Sequence, residues 1–219
     1  MLKGAIFDFD GTLFDSMFIW DTAGEMYLRS MGKEPKSDLQ KVLKPMSLLQ
    51  SAEYIREKYH ISLSVEEIMD GINRTVEGFY FNTIEPKPGV ISFLEELHSR
   101  NIKMCIATAT DRYQVEAALK RCEMRHFFSE IFTCTEVGSG KDRPEIFRKA
   151  MEHLETTKGN TVVFEDAYHA AKTAKTDGFI TIAVYDSHET KQLELHSVSD
   201  CFLNNFKQTD VFWNLACGL

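Results

Sequence analysis

The chain has 219 residues, long enough to bury a full core, and suits either one large domain or a core with a small insert, the second being expected here. Its 25 Lys and Arg against 33 Asp and Glu give a formal net charge of -8 with no basic block, which argues against nucleic acid polymers and anionic membranes as partners. The N-terminus lacks a charged leader and no stretch approaches the ~20 apolar residues of a membrane span, so a soluble cytoplasmic protein is expected. The five cysteines, odd in number and without a CxxC pair, read as reduced core residues.

The apolar run 2–7, bounded by Gly11 and Thr12, has the pattern of a buried parallel strand that ends in a turn. Side chains alternate along a strand, so Asp8 and Asp10 project to one side and Phe7 and Phe9 to the other. Two carboxylates thus converge at the strand's C-terminal tip, where open α/β sheets bind their ligands. Like charges this close must share a proton or recruit a cation, and a hard divalent ion suits oxygen donors. A lone DxD reads as well as a pair of turn or capping aspartates; the longer string DFDGTL weighs against that.

From Asp15 to Ile84 the period changes from two to 3.6. Met17, Trp20, Gly24, Tyr27, Leu28 and Met31 share a helix face that stops near Gly32, and a short helix is expected over 37–43. Leu48, Ala52, Ile55 and Tyr59 form a further stripe. Ser64 with Glu67 makes a capping box that opens a helix with Ile68, Ile72, Val76, Phe79 and Thr83 on one side. No strand signal interrupts these elements, so they predict a small helical bundle.

Pro88 then opens a helix with Val90, Phe93, Leu94 and Leu97 facing inward, and 102–107 reads as a buried strand. It ends in Thr108-Ala109-Thr110, whose hydroxyls and amides suit phosphate oxygens, and Asp111 with Gln114 is spaced to cap the next helix. A third strand is expected over 131–135. In GSGKDRPEIF, Asp142 and Glu145 have capping-box spacing with Pro144 in the first turn, leaving Lys141 in the loop just before a helix. The strand 161–164 ends in Glu165-Asp166, oxygen ligands of the kind magnesium needs, ahead of an Ala-rich helix on which His169 reads as a surface residue. A fifth strand covers 179–185, and 193–219 reads as a peripheral ending.

The string DFDGTL, Thr108 at the second core strand's tip, K-x-x-P-E-I-F around Lys141 and the Glu165-Asp166 pair fall in the order of the four motifs of the haloacid dehalogenase superfamily, which the chain resembles over most of its length. The resemblance implies a Rossmann-like parallel-sheet α/β core, residues 1–14 and 87–219, with an α-helical cap, residues 15–86, that closes over the site and selects the substrate. It makes Asp8 a nucleophile that becomes transiently phosphorylated, assigns Thr108 to phosphate binding and makes Lys141 the cation holding nucleophile and phosphoryl group. Asp10 is expected to protonate the leaving group and then to deprotonate the attacking water. Mg2+ is expected on Asp8, Glu165, Asp166 and the backbone carbonyl of Asp10. Related sequences often read E-D-S-x-x-G, whereas Ala167 and Ala170 stand at the Ser and Gly places here.

The chain also resembles β-phosphoglucomutases, where a cap histidine and a cap arginine serve the mutase chemistry. Trp20 and Leu48 stand in those places, which favours water as the acceptor. A dehalogenase, with one aspartate and no metal, is disfavoured by Asp10 and the 165–166 pair, and an inactive binding module by the four motifs together. The expectation is a monomeric, magnesium-dependent phosphatase acting on a small phosphate monoester, a phosphohexomutase being the alternative. Lys44, Ser47 and Trp20 are the candidate cap contacts, each with an exposed or structural role as the stronger expectation.

Overall fold

The computed structural model describes residues 1–43, 46 and 48–218. Internal contacts divide the chain into two compact units, Met1–Asp15 with Ile84–Leu219, and Ser16–Thr83. The chain enters through β1 (Gly4–Phe7), buried throughout, and the short β2 (Phe14–Asp15).

The second unit comprises α1 (Met17–Ser30), α2 (Leu39–Leu43), α3 (Leu48–Lys58) and α4 (Val65–Asn82), with α1 against α2 and α4, and α3 against α4. Both hydrogen bonds of the capping box form: Ser64 Oγ accepts the Glu67 amide at 3.1 Å and Glu67 Oε2 accepts the Ser64 amide at 2.8 Å. They satisfy donors that a helix start otherwise leaves orphaned. α4 buries Ile68, Ile72, Val76 and Tyr80, a straight i+4 row in which Tyr80 takes the place expected for Phe79. α1 departs further from its expected stripe, burying Ile19, Ala23, Gly24, Tyr27 and Leu28 while Met31 is 41% exposed. A Cβ on Gly24 would lie 2.5 Å from Leu43, so the inward face is the one that lets the α1 backbone come close to α2. Trp20 donates its indole N–H to the Tyr80 hydroxyl at 3.2 Å, tying α1 to α4. Lys44 and Ser47 lie outside the described residues.

The chain returns through β3 (Glu85–Pro86), antiparallel to β2, a ribbon with no periodic signature. There follow α5 (Val90–Ser99), β4 (Lys103–Thr108), α6 (Arg112–Arg121), β5 (Ile131–Thr133), α7 (Cys134–Val137) and α8 (Glu145–His153). Then come β6 (Thr161–Glu165), α9 (Tyr168–Thr176), β7 (Ile180–Val184), α10 (Gln192–Val198), β8 (Cys201–Leu203) and α11 (Asp210–Ala216). Six strands pair in parallel in the order β5-β4-β1-β6-β7-β8. With β1 central and later strands added first on one side and then on the other, the sheet is doubly wound, and its ligand crevice belongs at the strands' carboxyl ends where the order reverses.

Alternation along β1 supplies both layers. Ile6, Cys105 and Val163 pack against Ile146 and Phe147 of α8 and Ala170 and Ala174 of α9. Phe7 and Phe164 stack on the other face with centroids 4.4 Å apart, and Phe164 meets Phe93 of α5 and Phe212 of α11. The segment from 193 onward is therefore not peripheral: Leu195 and Phe212 are fully buried and β8 is a sixth strand, too short at three residues to show a period. The strand expected to reach 135 stops at Thr133, because the Thr133 hydroxyl accepts the Glu136 amide at 3.1 Å and starts α7. All five cysteines are free, but only Cys105 and Cys201 are buried; Cys217 is exposed. α5 starts after Gly89, at φ +90, where a Cβ would stand 2.5 Å from the Phe206 carbonyl carbon. No helix among the described residues is long and apolar enough to cross a membrane.

Asp177, at the end of α9, accepts from Arg148 Nε at 3.0 Å and Lys158 Nζ at 2.8 Å. The Arg148 hydrogen bonds hold its carboxyl below the ordinary aspartate value. A folded pKa below the unfolded one contributes stability above the unfolded pKa and loses it as pH falls through the folded value. Asp177→Asn is expected to lower the unfolding free energy by about 1 kcal/mol at neutral pH and by almost nothing in strong acid, as read by urea denaturation under both conditions.

Candidate active site

Asp8 follows β1 with the parity of Ile6, the side chain on the α8 face, and its amide donates to the Phe164 carbonyl at 3.0 Å. The chain then reverses: the Leu13 and Phe14 amides both donate to the Phe9 carbonyl at 3.0 Å, and the Gly11 amide to the Phe14 carbonyl at 2.9 Å. Gly11 sits at φ +77, a left-handed backbone that a side chain would strain. The turn delivers the Thr12 hydroxyl to Asp166 Oδ1 at 3.1 Å.

The loop before α8 delivers Lys141, whose ammonium donates to Asp8 Oδ1 and, at 2.6 Å, to Glu165 Oε1. The capping box expected at Asp142 does not form. Pro144 is the N-cap residue, α8 starts at Glu145, and Glu145 accepts from Ser139 Oγ at 3.3 Å. A residue before proline is pushed out of the helical region, which keeps Arg143 from extending α8 backwards.

Lys141, Asp8, Glu165 and Asp166 are 8%, 7%, 1% and 4% exposed, so their charges meet with little water to screen them. Burial pushes the Glu165 carboxyl up to about 8 against the pull of Lys141, with Asp8 adding to the rise. Burial likewise raises Asp166 well above the usual range, with Asp8, Glu165 and Asp186 adding to it. Burial works against the Lys141 ammonium, but Asp8 and Glu165 outweigh it and hold its pKa above that of an ordinary lysine. Lys141 thus serves Asp8 and Glu165, while the charge of Lys87 offsets the rise at Asp166 only in part. Ligand oxygens of Asp8, Glu165 and Asp166 all lie within 4.8 Å of one another, and hard oxygen donors with surplus negative charge fit a divalent cation.

Beside this cluster, Thr110 Oγ1 donates to Asp10 Oδ2 at 2.5 Å, and the Thr110 amide donates to Thr108 Oγ1 at 3.0 Å. Thr108 itself is fully buried at the tip of β4. The structure therefore gathers Asp8, Lys141, Glu165 and Asp166, and links Asp10 to Thr108 through Thr110. His169 is exposed on α9. Two polar residues go beyond the sequence reading, Thr12 and Asp186, the latter 3% exposed and paired with Lys87 Nζ at 2.7 Å, and Thr110, read as a phosphate hydroxyl, has Asp10 as its partner. The available signals are a hydroxyl after the turn glycine for Thr12, a strand-tip threonine for Thr110, and an acid just past β7 for Asp186.

A doubly wound sheet that carries Asp8, Glu165, Asp166 and Lys141, all buried, at its carboxyl edge defines an α/β enzyme with an acidic, metal-binding type of site. The chain belongs to the haloacid dehalogenase-like hydrolase family, which matches residues 5–184. Over 177 residues it is 27% identical to the phosphorylated carbohydrates phosphatase of Thermotoga maritima, covering 81% of this chain and 82% of that one. Over 191 residues it is 28% identical to (DL)-glycerol-3-phosphatase 2 of Arabidopsis thaliana, covering 83% and 78%. The crystal structure of CbbY from Rhodobacter sphaeroides in complex with phosphate has a TM-score of 0.81 at 21% identity, over 96% of this chain and 97% of that one, a likeness of fold.

Proposed function

We propose that the protein is a magnesium-dependent phosphatase that hydrolyses a small phosphorylated carbohydrate or polyol through an aspartyl-phosphate on Asp8. The observation that carries this is the Lys141 ammonium held between Asp8 and Glu165, with Asp166 within ligating range of both acids. Asp8 attacks phosphorus and the bond to the leaving oxygen breaks, while Lys141 orients the carboxylate and takes up charge on the phosphoryl oxygens. The Thr108 hydroxyl and the amides beside it bind those oxygens. Asp10, steadied by Thr110, protonates the leaving oxygen and then takes a proton from the water that cleaves the aspartyl-phosphate. Asp8, Glu165, Asp166 and the Asp10 carbonyl would hold Mg2+, which when bound offsets the repulsion between carboxylate and phosphate. Selection of the leaving group is assigned to the helical insert, residues 15–86, and the free thiols support a cytoplasmic setting.

The test is phosphate release from sugar phosphates, glycerol phosphates, nucleotides and an aryl phosphate, with magnesium and with chelator. Magnesium-dependent release is expected from the carbohydrate or polyol esters. Conversion of glucose 1-phosphate to an isomer without release would move the assignment to a mutase. Asp10→Asn is expected to cost ~100-fold or more in kcat with an alkyl phosphate and far less with an aryl phosphate, whose leaving group needs no proton. Equal losses on the two substrates would remove Asp10 from the acid role.

A further inference from the structure

α9 begins directly after the acidic pair, yet its N-cap residue is Ala167, in extended backbone at φ -90 and ψ 124, with a methyl that accepts nothing. Its first helical amide is held by a carboxylate all the same. The Tyr168 amide donates to Glu189 Oε2 at 2.8 Å, from 21 residues further along. Glu189 stands on a braced loop. Its Oε1 accepts the Lys191 amide at 2.7 Å, and Gln192 Nε2 donates to the carbonyls of Asp186, at 2.5 Å, and Glu189, at 3.3 Å. At the base of the loop the buried Asp186 carboxylate pairs with Lys87 at 2.7 Å and accepts the His188 amide at 2.9 Å.

We infer that Glu189 caps α9 from a separate loop and is a positioning residue for Glu165 and Asp166. Glu165 and Asp166 run directly into the clamped Tyr168 amide, so the first turn of α9 fixes where their carboxylates stand. A carboxylate also complements the positive end of the helix. The loop after β7 thereby holds the first helical amide, one that an N-cap side chain at position 167 would not take up, and groups that orient ligands in this way are worth 10–100-fold in metal affinity. The inference rests on the proposed metal site.

The experiment is calorimetric titration of Mg2+ into the substrate-free protein, with melting temperatures in chelator, for wild type, Glu189→Ala and Glu189→Gln. Glu189→Ala is expected to weaken magnesium binding by about tenfold or more. Glu189→Gln keeps the acceptor oxygen and should bind nearly as wild type. A lowered melting temperature with an unchanged magnesium constant in Glu189→Ala would mean a structural role alone and overturn the inference. Magnesium binding by Glu189→Gln no better than by Glu189→Ala would also count against it. A wild-type protein that binds no magnesium would overturn the metal site itself, and the inference with it.

Discussion

Asp8→Asn is expected to abolish turnover, with a loss of at least about 10³-fold in kcat, and to leave the fold intact. The amide has the carboxylate's shape but cannot form the acyl-phosphate, so the effect falls on chemistry rather than on packing. Lys141 keeps Glu165 as its partner at 2.6 Å. Asp8 contributes to the raised pKa values of Glu165 and Asp166, so its removal relieves like-charge crowding, and the melting temperature in chelator should hold or rise. Phosphate release and thermal melting on one preparation read both effects. Undiminished hydrolysis by the variant would remove Asp8 as the nucleophile.

Lys141→Met is expected to damage stability as well as activity. It strips the cation from two buried carboxylates, the kind of change that costs about 3–5 kcal/mol, and kcat should fall by ~100-fold or more through the lost charge on the phosphoryl oxygens. The stability loss has a definite pH dependence. The Glu165 carboxyl, at about 8 in the folded wild type against an ordinary 4.5, binds its proton more tightly folded than unfolded. Stability from this group is therefore full below the ordinary carboxylate value and falls as pH rises through the folded one. Without Lys141 to pull that value down, the variant's fall continues above it while the wild type's stops, so the variant's deficit should be larger at about pH 9.5 than at about pH 7. Urea denaturation in chelator at the two pH values measures it. A deficit independent of pH would mean that Lys141 does not neutralise Glu165.

The acids of the site are legible in the sequence because each follows an abrupt change from apolar to acidic at a strand tip: 4–7 before Asp8, 161–164 before Glu165-Asp166. Their convergence needs only the rule that doubly wound sheets bind at their carboxyl edge. Lys141 is placed by its resemblance to a known motif, and the local capping pattern around it misleads, since Pro144 moves the helix start to Glu145. The partners that steady the acids are another matter. Thr12 reaches Asp166 across 154 residues and Thr110 reaches Asp10 across 100, and these pairings depend on strand order, which no periodicity contains. β8 is hidden for a simpler reason, three residues being fewer than one alternation can establish. In α1 the middle of the expected face is buried as read, Gly24, Tyr27 and Leu28, while Ile19 and Ala23 rather than Met17, Trp20 and Met31 complete it.

The most direct test of the central claim is to quench the enzyme with acid during steady-state hydrolysis of its best substrate and to locate any phosphoryl group by mass spectrometry of its peptides. A phosphoryl group on Asp8, present with magnesium and absent in chelator and in Asp8→Asn, is the predicted result. Active turnover with Asp8 unmodified, or with the phosphoryl group on another residue, would contradict it.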